Sequence, residues 1–94
     1  MPTALDKFPK QPGDTEDFDI SFEDYLLARD DTIDSHEVTV PDGINVVSSA
    51  VVGGVVKLWV SGGTNGKKYR ITVTVTTTGG RIKNAEIDIE VREI

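Results

Sequence analysis

An all-β sandwich is the fold class this sequence predicts, and three observations predict it. Residues 55–91 read VVKLWVSGGTNGKKYRITVTVTTTGGRIKNAEIDIEV, with three runs that alternate apolar and polar residues. Such period-two alternation marks a strand with one buried face. Glycines punctuate those runs at Gly62-Gly63, Asn65-Gly66 and Gly79-Gly80, the residue types that tight turns between strands require. The chain has 94 residues, and one sandwich domain needs roughly 100.

Tyr69 narrows the class. It follows the 65–66 turn and opens the inward set Tyr69, Ile71, Val73 and Val75, with Arg70, Thr72, Thr74 and Thr76 pointing out. A phenol at the start of a strand, bonded back to the preceding loop, is the tyrosine corner of immunoglobulin and fibronectin-III-like sandwiches. The expectation is therefore a single sandwich of that type, with about six to seven antiparallel strands. Tyr69 is expected to be buried and structural, its hydroxyl bonded to backbone of the 65–68 turn.

The remaining elements follow in chain order. Residues 1–17 carry three of the four prolines and no apolar period; each proline removes a backbone donor and biases its predecessor toward extended geometry. They are read as an extended N-terminal arm with no fold of its own, before a domain spanning 18–94. Residues 18–22 alternate as a first strand. Residues 23–29 suit one short helical turn, capped by Ser21 or Asp24, with Tyr25, Leu26 and Leu27 toward the end of the sandwich. Residues 32–40 form a strand with Val38 and Val40 inward; Ile33 is out of step with them, so a bulge is expected near 35–37. Pro41-Asp42-Gly43 turns the chain into residues 44–49. Gly53-Gly54 separates a hairpin whose second strand points Val56, Leu58 and Val60 in and Lys57 and Trp59 out. The last strand, ending at Val91, pairs with residues 69–78 and has one charged face. Its charges are expected to blunt a free edge and keep the chain monomeric in dilute solution.

Composition excludes several classes. The absence of cysteine removes disulfides and thiolate metal sites. The segment MPTALDKFPKQP has no apolar leader, and the most apolar window, 44–60, is broken by serines, glycines and Lys57, so no membrane span is expected. Net charge is −6. Residues 1–37 hold eleven acids against three bases, and 38–94 five against seven. Such an acidic chain lacks the basic face of a nucleic-acid binder.

No catalytic, cofactor or metal site is expected. His36 is the only histidine and has no nucleophile–base–orienter set around it in the pattern. The carboxylates between Asp14 and Asp34 match no calcium loop. Gly66-Lys67-Lys68 lacks the hydroxyl residue of a phosphate loop and leads into a strand. The candidate partner contacts are Leu5 and Phe8, a lone apolar pair in the arm, and Trp59, because tryptophan anchors interfaces.

Three blocks give the chain a resemblance. The first is KQPGDTEDFDISFEDYL at 10–26, similar to K-D-P-x-E-x-x-D-Y-x-I-D-W-x-x-W-L, with Gln11, Phe22 and Tyr25 standing where aspartate and tryptophans are usual. The second is Asp31-Thr32-Ile33-Asp34-Ser35, similar to D-T-I-x-S, followed by a V-x-x-G segment at 40–43. The third is WVSGGTNGKKY at 59–69, similar to W-L-S-G-G-T-x-G-x-x-Y, ending in Thr77-Thr78-Gly79-Gly80-Arg81. In this order they resemble small bacteriophage virion proteins of the fibre–tail adaptor or neck type. The resemblance implies a non-enzymatic structural component of the virion, assembled in the host cytoplasm and contacting connector, tail or fibre subunits. From its charged edge the protein is expected to be monomeric alone, and multimeric only on the particle. Two alternatives stand beside it: a head-surface decoration protein touching the capsid, and a carbohydrate-binding Ig-like adhesion module.

Overall fold

The computed structural model describes residues 6–93. Seven strands and one short helix follow in the order β1 (Asp6–Lys10), β2 (Glu16–Ser21), α1 (Glu23–Leu27), β3 (Ile33–Thr39), β4 (Ile44–Val52), β5 (Val55–Gly62), β6 (Lys68–Thr77) and β7 (Ile82–Val91). They form two sheets, β1-β7-β6-β3 and β2-β5-β4. With strands lettered in sequence, β7-β6-β3 and β2-β5-β4 take the G-F-C and B-E-D orders of an immunoglobulin sandwich, and the first strand lies beside the last.

The core is written by the alternation. Val56, Leu58 and Val60 of β5 are fully buried, as are Ile71, Val73 and Val75 of β6 and Ile89 and Val91 of β7. Phe18 and Ile20 bring β2 onto them, and Phe22 and Leu26 of the helical segment close one end. The core thins toward the other flank: β3 offers only half-buried Ile33 and Val38, and in β4 only Ile44 is buried.

Several expectations need correction. Within the stretch read as an arm, β1 pairs parallel with β7, Phe8 opposite Ile89 and Lys10 opposite Val91. Pro9 is tolerated because β1 is an edge strand, partnered on one side alone. The first strand of the second sheet begins at Glu16, two residues before Phe18. The last strand, β7, is interior, flanked by β1 and β6, so its charges do not guard a free edge. Residues 44–52 form one continuous strand. The bulge of β3 falls between Ile33 and Ser35, slightly earlier than expected, and β4 carries another between Val46 and Ser48. Leu27 points to solvent at 79 % exposure, because a helix of five residues turns only one stripe inward. Neither expected residue is its cap proper: the N-cap is Phe22, although Ser21 Oγ accepts from the Glu23 N–H at 3.2 Å.

Candidate interaction surface

The third block folds around the Tyr69 ring. Tyr69 is the second residue of β6 and is 7 % exposed. Its hydroxyl accepts a hydrogen bond from the Thr64 N–H at 2.9 Å, one residue ahead of the expected turn. These contacts hold its proton affinity down: the hydrogen bonding at Thr64 comes first, and nearby Lys67 adds to it. Gly43 (φ +98°) and Gly63 (φ +99°) approach the ring; a Cβ would lie 3.1 Å from Tyr69 Cε1 at Gly43 and 2.6 Å from Val91 Cγ2 at Gly63. Gly66 N–H donates to the Val91 carbonyl, and the Val91 N–H to Lys67. The spacing from Ser61 to Tyr69 therefore builds a loop that closes on its own phenol and on the end of β7.

The second block meets the end of the third. Asp31 Oδ1 accepts from the N–H groups of Thr32 and Gly79, both at 2.9 Å, and Oδ2 pairs with Arg81 Nη1 at 2.8 Å. Its carboxyl is held well below the ordinary range, chiefly by the Thr77 hydroxyl, then by those two N–H groups and Arg81, against the opposing effect of burial. Thr78 N–H donates to the Thr32 carbonyl, and the Thr32 and Thr78 hydroxyls meet at 2.8 Å. The D-T-I and T-T-G-G-R segments are thus two halves of one staple between the start of β3 and the β6–β7 turn.

In the first block, Lys10 is a bolt that the sequence did not announce. Its side chain is buried and Nζ donates to the carbonyls of Gly62 (2.7 Å), Gln11 (2.8 Å) and Pro12 (3.4 Å). Three acceptors match the three donors of an ammonium. Further on, Phe22 N–H donates to the Gly54 carbonyl at 2.8 Å, and Arg29 stacks 4.0 Å above the Tyr25 ring.

What remains is the surface available for contact. Phe8 turns inward, half-buried, its ring centroid 5.1 Å from that of Phe18. Trp59 lies on the outer face of the three-stranded sheet, 40 % exposed, with Asp17 and Ser48 as strand neighbours. The two residues therefore do not share a patch, and Leu5 lies outside the described residues. Beside Trp59, Lys57 Nζ bridges Asp17 (2.8 Å) and Asp19 (3.0 Å). These contacts raise the lysine's proton affinity and lower that of Asp17. Missed by the sequence reading was the exposure of β4, where Val47, Val51 and Val52 all meet solvent.

His36 Nε2 contacts Ser49 Oγ at 2.9 Å across the β3–β4 seam. Among the described residues, no hydrogen bond joins a carboxylate to that ring, so the pair has no orienting acid. Nor, among them, do three or more histidine or carboxylate side chains group to hold a metal ion.

No curated protein matches the chain. Residues 10–90 match the family model described as Podophage GP4 fiber-tail adaptor protein gp77. That span begins at the Lys10 bolt, takes in the Tyr69 loop and the Asp31 staple, and ends one residue short of the end of β7. The chain thus belongs to the podophage fiber-tail adaptor family, and the residues that carried the likeness are those that lock its sandwich together.

Proposed function

We propose that this protein is a non-enzymatic structural piece of the phage particle that bridges tail and fibre by protein–protein contact, on an Ig-like sandwich. The observation that carries the reading is the adaptor-family match over residues 10–90. Physical support comes from where the polar side chains go. Asp31, Tyr69 and Lys10 are committed to backbone partners, which makes a stiff body suited to adhesion. A stiff body loses little conformational entropy on docking. Trp59 with its Lys57–Asp17–Asp19 neighbours gives one anchor candidate, an indole with a polar rim. Its neighbours would be connector, tail or fibre subunits on a virion assembled in the host cytoplasm.

Particles produced without this chain test the reading. They are expected to carry tails that lack fibres, and adding the purified chain together with purified fibre should restore fibre attachment. Particles with normal fibres but fragile heads would favour a decoration role instead. Trp59→Ala should reduce fibre or tail binding at unchanged thermal midpoint; unaltered binding would remove Trp59 from the contact.

A further inference from the structure

One end of the sandwich is apolar and acidic at once. There the helix α1 meets the Gly53-Gly54 turn between β4 and β5, and Glu23, Leu26, Leu27, Asp31, Gly53 and Gly54 line a hollow of about 260 Å³. A second hollow, of about 360 Å³, shares Glu23 with it and adds Val52, Val55, Asp19 and Lys57. Leu26 is buried and forms the floor, whereas Leu27 and Val52 stand largely in solvent. Single exposed apolar side chains are ordinary, but two of them beside joined hollows with an apolar floor mark a contact surface.

Two glycines shape this notch. A Cβ on Gly54 would lie 3.0 Å from Glu23 Cγ and 3.1 Å from Leu26 Cδ1, so the turn approaches the helix only because it carries no side chain there. The Phe22 N–H, bonded to the Gly54 carbonyl at 2.8 Å, holds that approach. At Gly53 a Cβ would meet nothing, and the notch stays open on that side.

The rim is acidic. Residues 19–34 hold six acids, Asp19, Glu23, Asp24, Asp30, Asp31 and Asp34, against the single base Arg29. Asp31 is matched by Arg81, and Asp19 shares Lys57 with Asp17. Among the described residues no base lies within ion-pair distance of Glu23 or Asp30. Asp30 also takes φ +51°, a left-handed conformation for which glycine is the usual residue at a helix end. An acid there costs backbone strain that glycine would avoid.

We infer that this notch takes a basic segment of a partner chain. One aliphatic side chain of that segment sits over Leu26, between Leu27 and the Gly53-Gly54 turn, and flanking lysines or arginines meet Glu23 and Asp30. Complementarity fixes the occupant: a second copy of this chain, at net charge −6, would be repelled. Apolar contact supplies the anchor, and the surplus carboxylates speed and orient the encounter. That the segment belongs to a tail or fibre subunit rests on the adaptor reading; the chemistry of the notch does not.

Nuclear magnetic resonance titration of the full chain with short capped peptides tests the inference. The probe has one leucine between two lysines; the controls replace the leucine by alanine or the lysines by glutamates. The leucine peptide is expected to shift the backbone amides of Leu27, Gly53 and Gly54, and to lose affinity as sodium chloride rises. The alanine peptide should bind about tenfold more weakly, as should the leucine peptide to Leu27→Ala, for the loss of one aliphatic contact. Leu27→Ala should keep the wild-type thermal midpoint, because that side chain is exposed. Glu23→Gln combined with Asp30→Asn should weaken binding and flatten its salt dependence, and the glutamate peptide should not bind. Absence of shifts at those three amides overturns the inference. So does a leucine peptide that binds no better than the alanine one, which would reduce the site to unspecific attraction between charges. The same amides shifting with protein concentration alone would make a second copy the occupant and overturn it too. None of these results bears on the position between tail and fibre, so a failure here falls on the notch alone.

Discussion

The Tyr69 hydroxyl acts as an acceptor, and that determines what its loss does. Tyr69→Phe leaves the Thr64 N–H without its partner in a crowded loop, and an unpaired backbone donor is costly. The thermal midpoint is expected to fall by about 5 °C, as a domain of this size does for one such bond; an unchanged midpoint would mean that water replaces the phenol. Gly63→Ala should be worse, because its φ is positive and its Cβ would press on Val91. At the other end of β6, Asp31 has a depressed proton affinity, so its contribution is full above the ordinary value of 3.8 and declines as pH falls below it. Denaturation at pH 7 and at pH 3 should therefore show a loss of stability on acidification that is smaller in Asp31→Asn, which is already weakened at pH 7. Equal acid sensitivity in both proteins would assign the loss to other carboxylates.

At the scale of elements, β1 is the strand that changes the picture of the N-terminus. Its parallel pairing with β7, the Phe8–Phe18 ring contact and the Lys10 bolt make residues 6–10 part of the sheet. A chain starting at Asp17 should melt below the full-length protein, with β7 newly exposed as an edge. Lys10→Met, which keeps the stem and removes the donors, should cost about 1–3 kcal/mol by leaving the Gly62 carbonyl unmatched. Urea titration of both variants against the parent checks this, and wild-type midpoints would return β1 to the status of a loose tail. The strands of the core were legible because alternation is local: Val56, Leu58 and Val60, then Tyr69 to Val75, lie where their spacing put them. Lys10 was not legible, since its main acceptor lies 52 residues away. Likewise the Asp31 carboxylate accepts from Gly79, 48 residues on. Local pattern carries no trace of either partner. Which strand lies at an edge is also set by the whole topology, and that is why β7 was misplaced and the bare edge of β4 went unseen.

At the scale of the molecule, the described residues form an elongated body of 42 × 23 × 19 Å. β6, Lys68–Thr77, runs between the Tyr69 loop and the Asp31 staple, about 30 Å at the usual rise of a strand. Ends locked by hydrogen bonds leave the strand faces and the notch beside α1 as the surfaces on which contacts differ. The segment resemblance to phage adaptors was legible because turn chemistry at fixed spacing is a sequence property, whereas the exposure of Trp59 and β4 needed the fold. A position between tail and fibre is the central claim for this protein, and electron cryomicroscopy of intact particles tests it directly. Density that fits this sandwich should sit at the junction of tail and fibre, in contact with both. The same density spread over the head surface, with the junction filled by other chains, would contradict it.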